Sequence, residues 1–195
     1  MKFLSLFLGV FTLSISTGLA ESSNPIPAEL QEEIQRRIES EKYTGLAIGI
    51  VDKDGVQYSF HGKKDLDKEA LPDADTVYEI GSITKVFTTI LLADMCQRTD
   101  MDLNDLIKKY LPEGTNVPTR DGKEITLKHL ATHTSGLPRM PDNFAPADVN
   151  NPFADYTEEM LLDFLSNHTL QNDIGGEVAY SNLGMGLLGY ILEQA

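Results

Sequence analysis

The sequence predicts an α/β fold of the α+β type: an antiparallel sheet flanked by helices, with a helical subdomain. Three observations predict it. Gly45 to Val51 is a nearly continuous apolar run, Asp52-Lys53-Asp54-Gly55 has turn chemistry, and Val56, Tyr58 and Phe60 then alternate with Gln57, Ser59 and His61. That is a β-hairpin with one half-solvated strand. From Ser82 to about Arg98 the chain is apolar nearly all round, through Val86, Phe87, Ile90, Leu91, Leu92, Ala93 and Met95. A helix of that kind belongs in the middle of a protein. Short helical patterns separated by turns follow it. A lone hairpin is marginal, so the sheet is expected to be incomplete in this chain, with its C-terminal strands missing.

The other elements follow in order. Pro27 to Lys42 is an amphipathic helix with Leu30, Ile34 and Ile38 four apart on one stripe. Gly62 to Asp75 is a polar loop. Asn104 to Tyr110 is a short helix that stops before Pro112, Thr126 is an N-cap for Leu127 to Thr132, and Gly136-Leu137-Pro138 breaks the chain. Met140 to Phe153 is rich in Pro, Asn and Asp and reads as a long surface loop. Thr157 to Leu165 is a further helix, and Leu183 to Leu192 is a strongly apolar one. That last helix runs to Ala195 without Gly, Pro or a basic last turn, so the chain is expected to be an N-terminal fragment.

Residues 1–20 read as a signal peptide. Met1-Lys2 is a positive start, Phe3 to about Ile15 is apolar, and Gly18-Leu19-Ala20 offers small residues for cleavage. The apolar run is shorter than the roughly 20 residues of a membrane span. No Cys follows Ala20 to carry a lipid. The expected product is a secreted or periplasmic protein whose mature segment is 21–195, with no stable membrane insertion after cleavage. The net charge is −14, and cleavage would remove Lys2 and no acid, leaving −15. Such a surface repels nucleic acid and anionic lipid. The single cysteine, Cys96, permits no internal disulfide, and its apolar neighbours indicate a buried thiol. His61, His129, His133 and His168 lack metal-ligand spacing, so neither a metal nor a cofactor is expected. His133 reads as a hydrogen-bonded structural residue rather than a catalytic base.

Chemistry concentrates in two places. Ser82-Ile83-Thr84-Lys85 opens the apolar helix. Positions three apart on a helix are neighbours, so the Lys85 amine can reach the Ser82 hydroxyl. Serine is a poor nucleophile until a base takes its proton, and a lysine serves where its surroundings lower its pKa. Gly81 lets a substrate approach the backbone closely. About 95 residues on, Tyr180-Ser181-Asn182 leads into the second apolar helix. A tyrosine hydroxyl can exchange protons with Ser82 where cations depress its pKa, and the Asn182 amide can hold a substrate carbonyl. A Ser-Lys pair at this spacing also arises by chance, and an isolated tyrosine is commonly a core aromatic. The pairing of the two motifs, each entering an apolar helix, is what gives them weight.

Three blocks together resemble a known family. Tyr78-Glu79-Ile80-Gly81-Ser82-Ile83-Thr84-Lys85, the block from Ile125 to Pro138 (ITLKHLATHTSGLP), and Tyr180-Ser181-Asn182-Leu183-Gly184 are similar to class C β-lactamases and penicillin-binding proteins. The likeness extends from Pro27 to Ala195. Pro112 to Arg139 is most similar to the periplasmic D-alanyl-D-alanine carboxypeptidase/endopeptidase branch, although esterases share much of it. The resemblance implies a DD-peptidase/β-lactamase-like fold and acyl transfer, with Ser82, Lys85 and Tyr180 catalytic and Asn182 binding substrate. It implies D-alanyl-terminated peptidoglycan peptides, β-lactams or both as substrates. Two departures stand out. The family's third motif, Lys or His followed by Thr/Ser-Gly on a core strand, is absent, and the near match His133-Thr134-Ser135-Gly136 belongs to the middle block. Gly175-Gly176 stands where Pro-Gly is usual. Two rival readings remain open: an esterase or amidase with the same machinery, and a binding protein in which the motifs persist without turnover.

Overall fold

The computed structural model describes residues 26–40, 43–67 and 69–195. The expected signal peptide, residues 1–20, lies outside them, as does the expected end of the first helix at 41–42. Two compact units divide between Tyr78 and Glu79.

In the first unit, α1 (Ala28–Glu39) buries Ile34 alone. Ile38 is half-buried against Gly62, and Leu30 is 48 % exposed, so the apolar stripe is used at its C-terminal end. β1 (Gly45–Asp52) and β2 (Gly55–Gly62) form the antiparallel hairpin. The register Asp52↔Gly55 leaves Lys53-Asp54 as a two-residue turn. The Asp54 N–H donates to the Asp52 carboxylate at 2.8 Å, and Gly55 supplies the positive φ, 123°, that closes it. The faces of β2 differ from a simple apolar-in pattern. Val56 and Tyr58 are exposed, whereas Ser59 is buried and meets His61 Nε2 at 2.8 Å. α1 packs on β2, and its Ile38 reaches Gly62; Gln57, Phe60 and His61 are all half-buried, so of the apolar row only Val56 and Tyr58 stay open. Among the described residues the sheet has these two strands.

The second unit is helical. It comprises α2 (Thr84–Gln97), α3 (Leu127–Ala131), α4 (Glu158–Asn167) and α5 (Asn182–Gln194). The helix expected over Asn104–Tyr110 is a 3₁₀ turn, Ile107–Tyr110, whose Ile107 N–H donates to the Ile125 carbonyl at 3.0 Å. Thr126 caps α3 in a capping box completed by the His129 side chain in place of the usual Glu or Gln. Thr157 caps α4.

The centre of this unit is α5, not α2. α5 buries Leu183, Met185, Leu187, Leu188, Ile191 and Leu192, and packs on α2, α3 and the 3₁₀ turn. A Cβ at Gly184 would lie 3.2 Å from the Oγ of Ser181, the helix's own N-cap, so glycine leaves room for that cap. α2 buries only Leu92, and Val86, Phe87, Ile90 and Leu91 are 45–62 % exposed. Within the second unit α2 is therefore not central: one edge of it meets the core and its other apolar side chains are exposed. Cys96 is half-buried at the core's rim rather than buried. Among the described residues no helix is long and apolar enough to cross a membrane.

Candidate active site

Ser82 sits in a 3₁₀ turn, Gly81–Ile83, that runs straight into α2. The helix thus begins two residues later than expected, and the turn exposes the hydroxyl. Gly81 has φ 53°, a conformation that glycine adopts freely. Three residues on, half-buried Lys85 donates from Nζ to Ser82 Oγ at 3.3 Å. The Tyr180 hydroxyl donates to the same oxygen at 2.7 Å. The two motifs read from the sequence therefore meet on one atom.

Tyr180 is held by the middle block, for which the sequence alone offered no chemistry. Ala179 N–H donates to the His133 carbonyl at 2.8 Å, and Ser181 N–H to His133 Nδ1 at 3.2 Å. The His133 ring lies 4.6 Å from the Tyr180 ring. Ser181, buried, donates to the Pro138 carbonyl at 2.6 Å and caps α5 by accepting from Gly184 N–H at 2.8 Å. The Arg139 carbonyl accepts from Asn182 and Leu183 at 3.0 and 3.2 Å. His133 to Arg139 is thus a cradle for the strand-like entry to α5. His133-Thr134-Ser135-Gly136 forms the turn after α3 and lies on no strand. Gly175 has φ 74° and gives its N–H to the Thr134 carbonyl at 2.8 Å. A proline could meet neither condition, so this turn is built for glycine.

The electrostatics follow from the same contacts. Tyr180 is held below the usual phenol range by hydrogen bonding with Lys85, then by its bond to Ser82, with the charges of Lys85 and Arg139 adding. Burial, then the nearby charge of Lys85, holds His133 below the usual imidazole value. A neutral His133 is what the geometry needs, because Nδ1 accepts a hydrogen bond. Arg139 Cζ stands 5.1 Å from the Tyr180 ring centroid. Sequence reasoning passed over Arg139 as a functional residue; its only signal was its place directly after the Gly-Leu-Pro break.

Ser82, Lys85 and Asn182 line a cleft of about 520 Å³ with Phe153, Met185 and Gly186. Asn182 also lines a neighbouring apolar cavity of about 410 Å³, where its amide contacts Met140 Sδ at 3.7 Å. Met140, Phe144 and Phe153 line that cavity, and Phe144 packs on Phe153 and Tyr156 at 5.3 and 5.7 Å between centroids. Among the described residues no group of three His, Cys, Asp or Glu side chains could hold a metal.

The beta-lactamase family model matches residues 30–195. The chain belongs to the beta-lactamase family. It is 37 % identical over 153 residues to the D-alanyl-D-alanine-carboxypeptidase/endopeptidase AmpH of Escherichia coli K12, covering 78 % of this chain and 39 % of that protein. It is 30 % identical over 184 residues to a beta-lactamase of Providencia stuartii, covering 92 % and 44 %. A crystal structure of a beta-lactamase/D-alanine carboxypeptidase from Yersinia pestis, complexed with citrate, superposes with a TM-score of 0.73 at 30 % identity, covering 84 % and 47 %. The chain therefore spans under half the length of these relatives. The fold of the family, a helical region with an antiparallel sheet, is the one expected from the sequence.

Proposed function

We propose that the protein carrying this chain is an exported serine hydrolase working by acyl transfer, with Ser82 as nucleophile and Lys85 and Tyr180 as proton-transfer partners. One observation carries the reading: Ser82 Oγ is held by Tyr180 at 2.7 Å and by Lys85 at 3.3 Å, in a cleft that Asn182 also lines. Ser82 Oγ bonds to the substrate carbonyl carbon as its proton passes to Tyr180 or Lys85, and the carbonyl π pair moves to oxygen. Collapse of that oxyanion breaks the bond to the leaving group, which takes the proton. Water repeats the sequence and frees Ser82. Asn182 holds the substrate's carbonyl.

The substrates are D-alanyl-D-alanine peptidoglycan peptides, β-lactams or both. The names of the relatives support that choice, and the pattern over residues 1–20 supports export to the periplasm or beyond. A fluorescent penicillin followed by peptide mapping tests the assignment. Label is expected on Ser82 alone and absent from Ser82→Ala; undiminished label in that variant refutes it.

A second reading, an esterase or amidase with the same machinery, is favoured by the apolar cavity that shares Phe153, Asn182 and Gly186 with the Ser82 cleft. Such a cavity suits an apolar acyl group. Turnover of an aryl ester without acylation by penicillin would select this reading.

A further inference from the structure

We propose that the apolar cavity beside the Ser82 cleft is a specificity subsite for the acyl side of the substrate, taking an apolar chain of about three to four peptide residues that ends in an ammonium group. The inference rests on the acyl-transfer reading above and names the acyl donor that it favours.

One stripe of α5 carries the subsite. Asn182, Gly186, Tyr190 and Glu193 follow one another at steps of four, four and three, so they share a face of the helix, and all four line the cavity. Asn182 and Gly186 also line the Ser82 cleft, which makes them the threshold between the two spaces. A Cβ at Gly186 would meet nothing within 4 Å, so no neighbour demands a glycine there. Glycine weakens a helix interior, and its missing side chain leaves open space at that threshold. Past it the walls are apolar: Met140, Phe144, Leu161 and Leu187.

The far end has a different character. Tyr190, half-buried, donates its hydroxyl to Glu158 of α4, and Glu193 is its neighbour one turn on. Its phenol is pushed up to about 12, first by the hydrogen bond to Glu158, then by burial and by the charges of Glu158 and Glu193. Both carboxylates therefore act on one spot of the rim. Among the described residues neither is paired with a Lys, Arg or His, and no Lys or Arg lines the cavity. An apolar space that ends in two unneutralised carboxylates draws in a cation and turns away an anion.

Helix geometry sets the length. Asn182, assigned above to the substrate carbonyl, and Tyr190 are eight residues apart, which at the helical rise is about 12 Å. An extended peptide covers ~3.3–3.6 Å per residue, so about three to four residues reach the rim. A free peptide amino group, with a pKa of about 7.7–8.0, arrives there charged at neutral pH.

The test uses the protein that carries this chain and aryl esters of tetra-alanine in three forms: amino terminus free, acetylated or succinylated. The aryl acetate, too short to reach the rim, serves as the reference for each variant. Relative to it, kcat/KM in the parent should fall in the order free, acetylated, succinylated, by about two- to fivefold at each step, the effect of an exposed ion pair. Glu193→Gln and Glu158→Gln, the latter keeping an acceptor for Tyr190, should each narrow the spread, and Glu193→Lys should reverse the order. Binding is also read without turnover, on the 13C signal of Tyr190 identified by its loss in Tyr190→Phe. Hexylammonium should move that signal and hexanoate should not. Equal kcat/KM for the three forms, an order unchanged in Glu193→Lys, or a Tyr190 signal unmoved by hexylammonium overturns the subsite. A moved signal with no acylation by any of the esters overturns the acyl-transfer reading instead, because this binding needs no reaction.

Discussion

His133 Nδ1 accepts the backbone N–H of Ser181 across 48 residues of sequence, and it does so from a left-handed conformation, φ 58°. Asn tolerates that backbone and can offer an oxygen to the same N–H; Ala can do neither well. His133→Ala is expected to destabilise the second unit by about 1–3 kcal/mol, since it leaves a buried donor unpaired. His133→Asn should cost clearly less. Equal losses in denaturant unfolding would show that the hydrogen bond contributes nothing.

The same imidazole makes stability depend on pH. His133 is held below its ordinary value of 6.5 when folded, first by burial and then by Lys85. The unfolded chain therefore binds more protons than the folded one in this window, so stability rises with pH. It is full above about 6.5 and is lost as pH falls from there through the lowered folded value. His129, lowered by burial and by Lys128 and Lys123, acts in the same direction. Melting temperature is expected to drop on acidification through this range, and His133→Asn should flatten part of the slope. Identical slopes in parent and variant would remove His133 from the account.

Lys85 and Tyr180 are expected to act as one unit. Each single loss, Lys85→Ala or Tyr180→Phe, should slow acylation by about 10²–10⁴, the usual contribution of a positioned acid–base group. Groups serving one step give non-additive losses. The double variant should therefore be little worse than the poorer single one. Free-energy losses that simply sum would separate their roles.

Core position should decide stability more than apolar character does. Leu188→Ala, at a fully buried position of α5, is expected to cost about 2–5 kcal/mol. Phe87→Ala, on the open face of α2, should lie within about 0.5 kcal/mol of the parent. A large loss from Phe87→Ala would show that its face is covered in solution.

Gly136→Ala tests the cradle. Gly136 has φ 79°, and a Cβ there would lie 2.6 Å from the Asn172 carbonyl oxygen, which is backbone and cannot swing away. Strain of this kind costs about 1–3 kcal/mol. Urea unfolding should show the loss, and a neutral result would mean that the turn can re-form around a side chain.

What the sequence made legible was local. The hairpin turn at Lys53-Asp54, the cap at Thr126, and the approach of Lys85 to Ser82 each depend on residues a few positions apart. The pairing of Tyr180 with Ser82 was suggested by two motifs that each enter an apolar helix and strengthened by the family likeness, because nothing in the tyrosine's own triplet points across the fold. The roles of His133 and Arg139 were hidden for a further reason. They act largely through backbone carbonyls and a ring face, which leave no residue pattern. The exposure of α2 within the second unit has its own cause. An all-round apolar helix signals the need for cover but not which element supplies it, whereas Gly184, which leaves room for the Ser181 cap, reads as a weakness in a helix until its neighbours are seen.

The bond between Tyr180 and Ser82 spans 98 residues, and the segment that carries Tyr180 is seated on the His133–Arg139 cradle. Contacts so distant in sequence require large loops to close, which slows them relative to local helix formation. During refolding the helices of the second unit should therefore recover well before Ser82 becomes reactive. Circular dichroism and trapping by an acylating probe would then report two different times, the second marking the arrival of Tyr180.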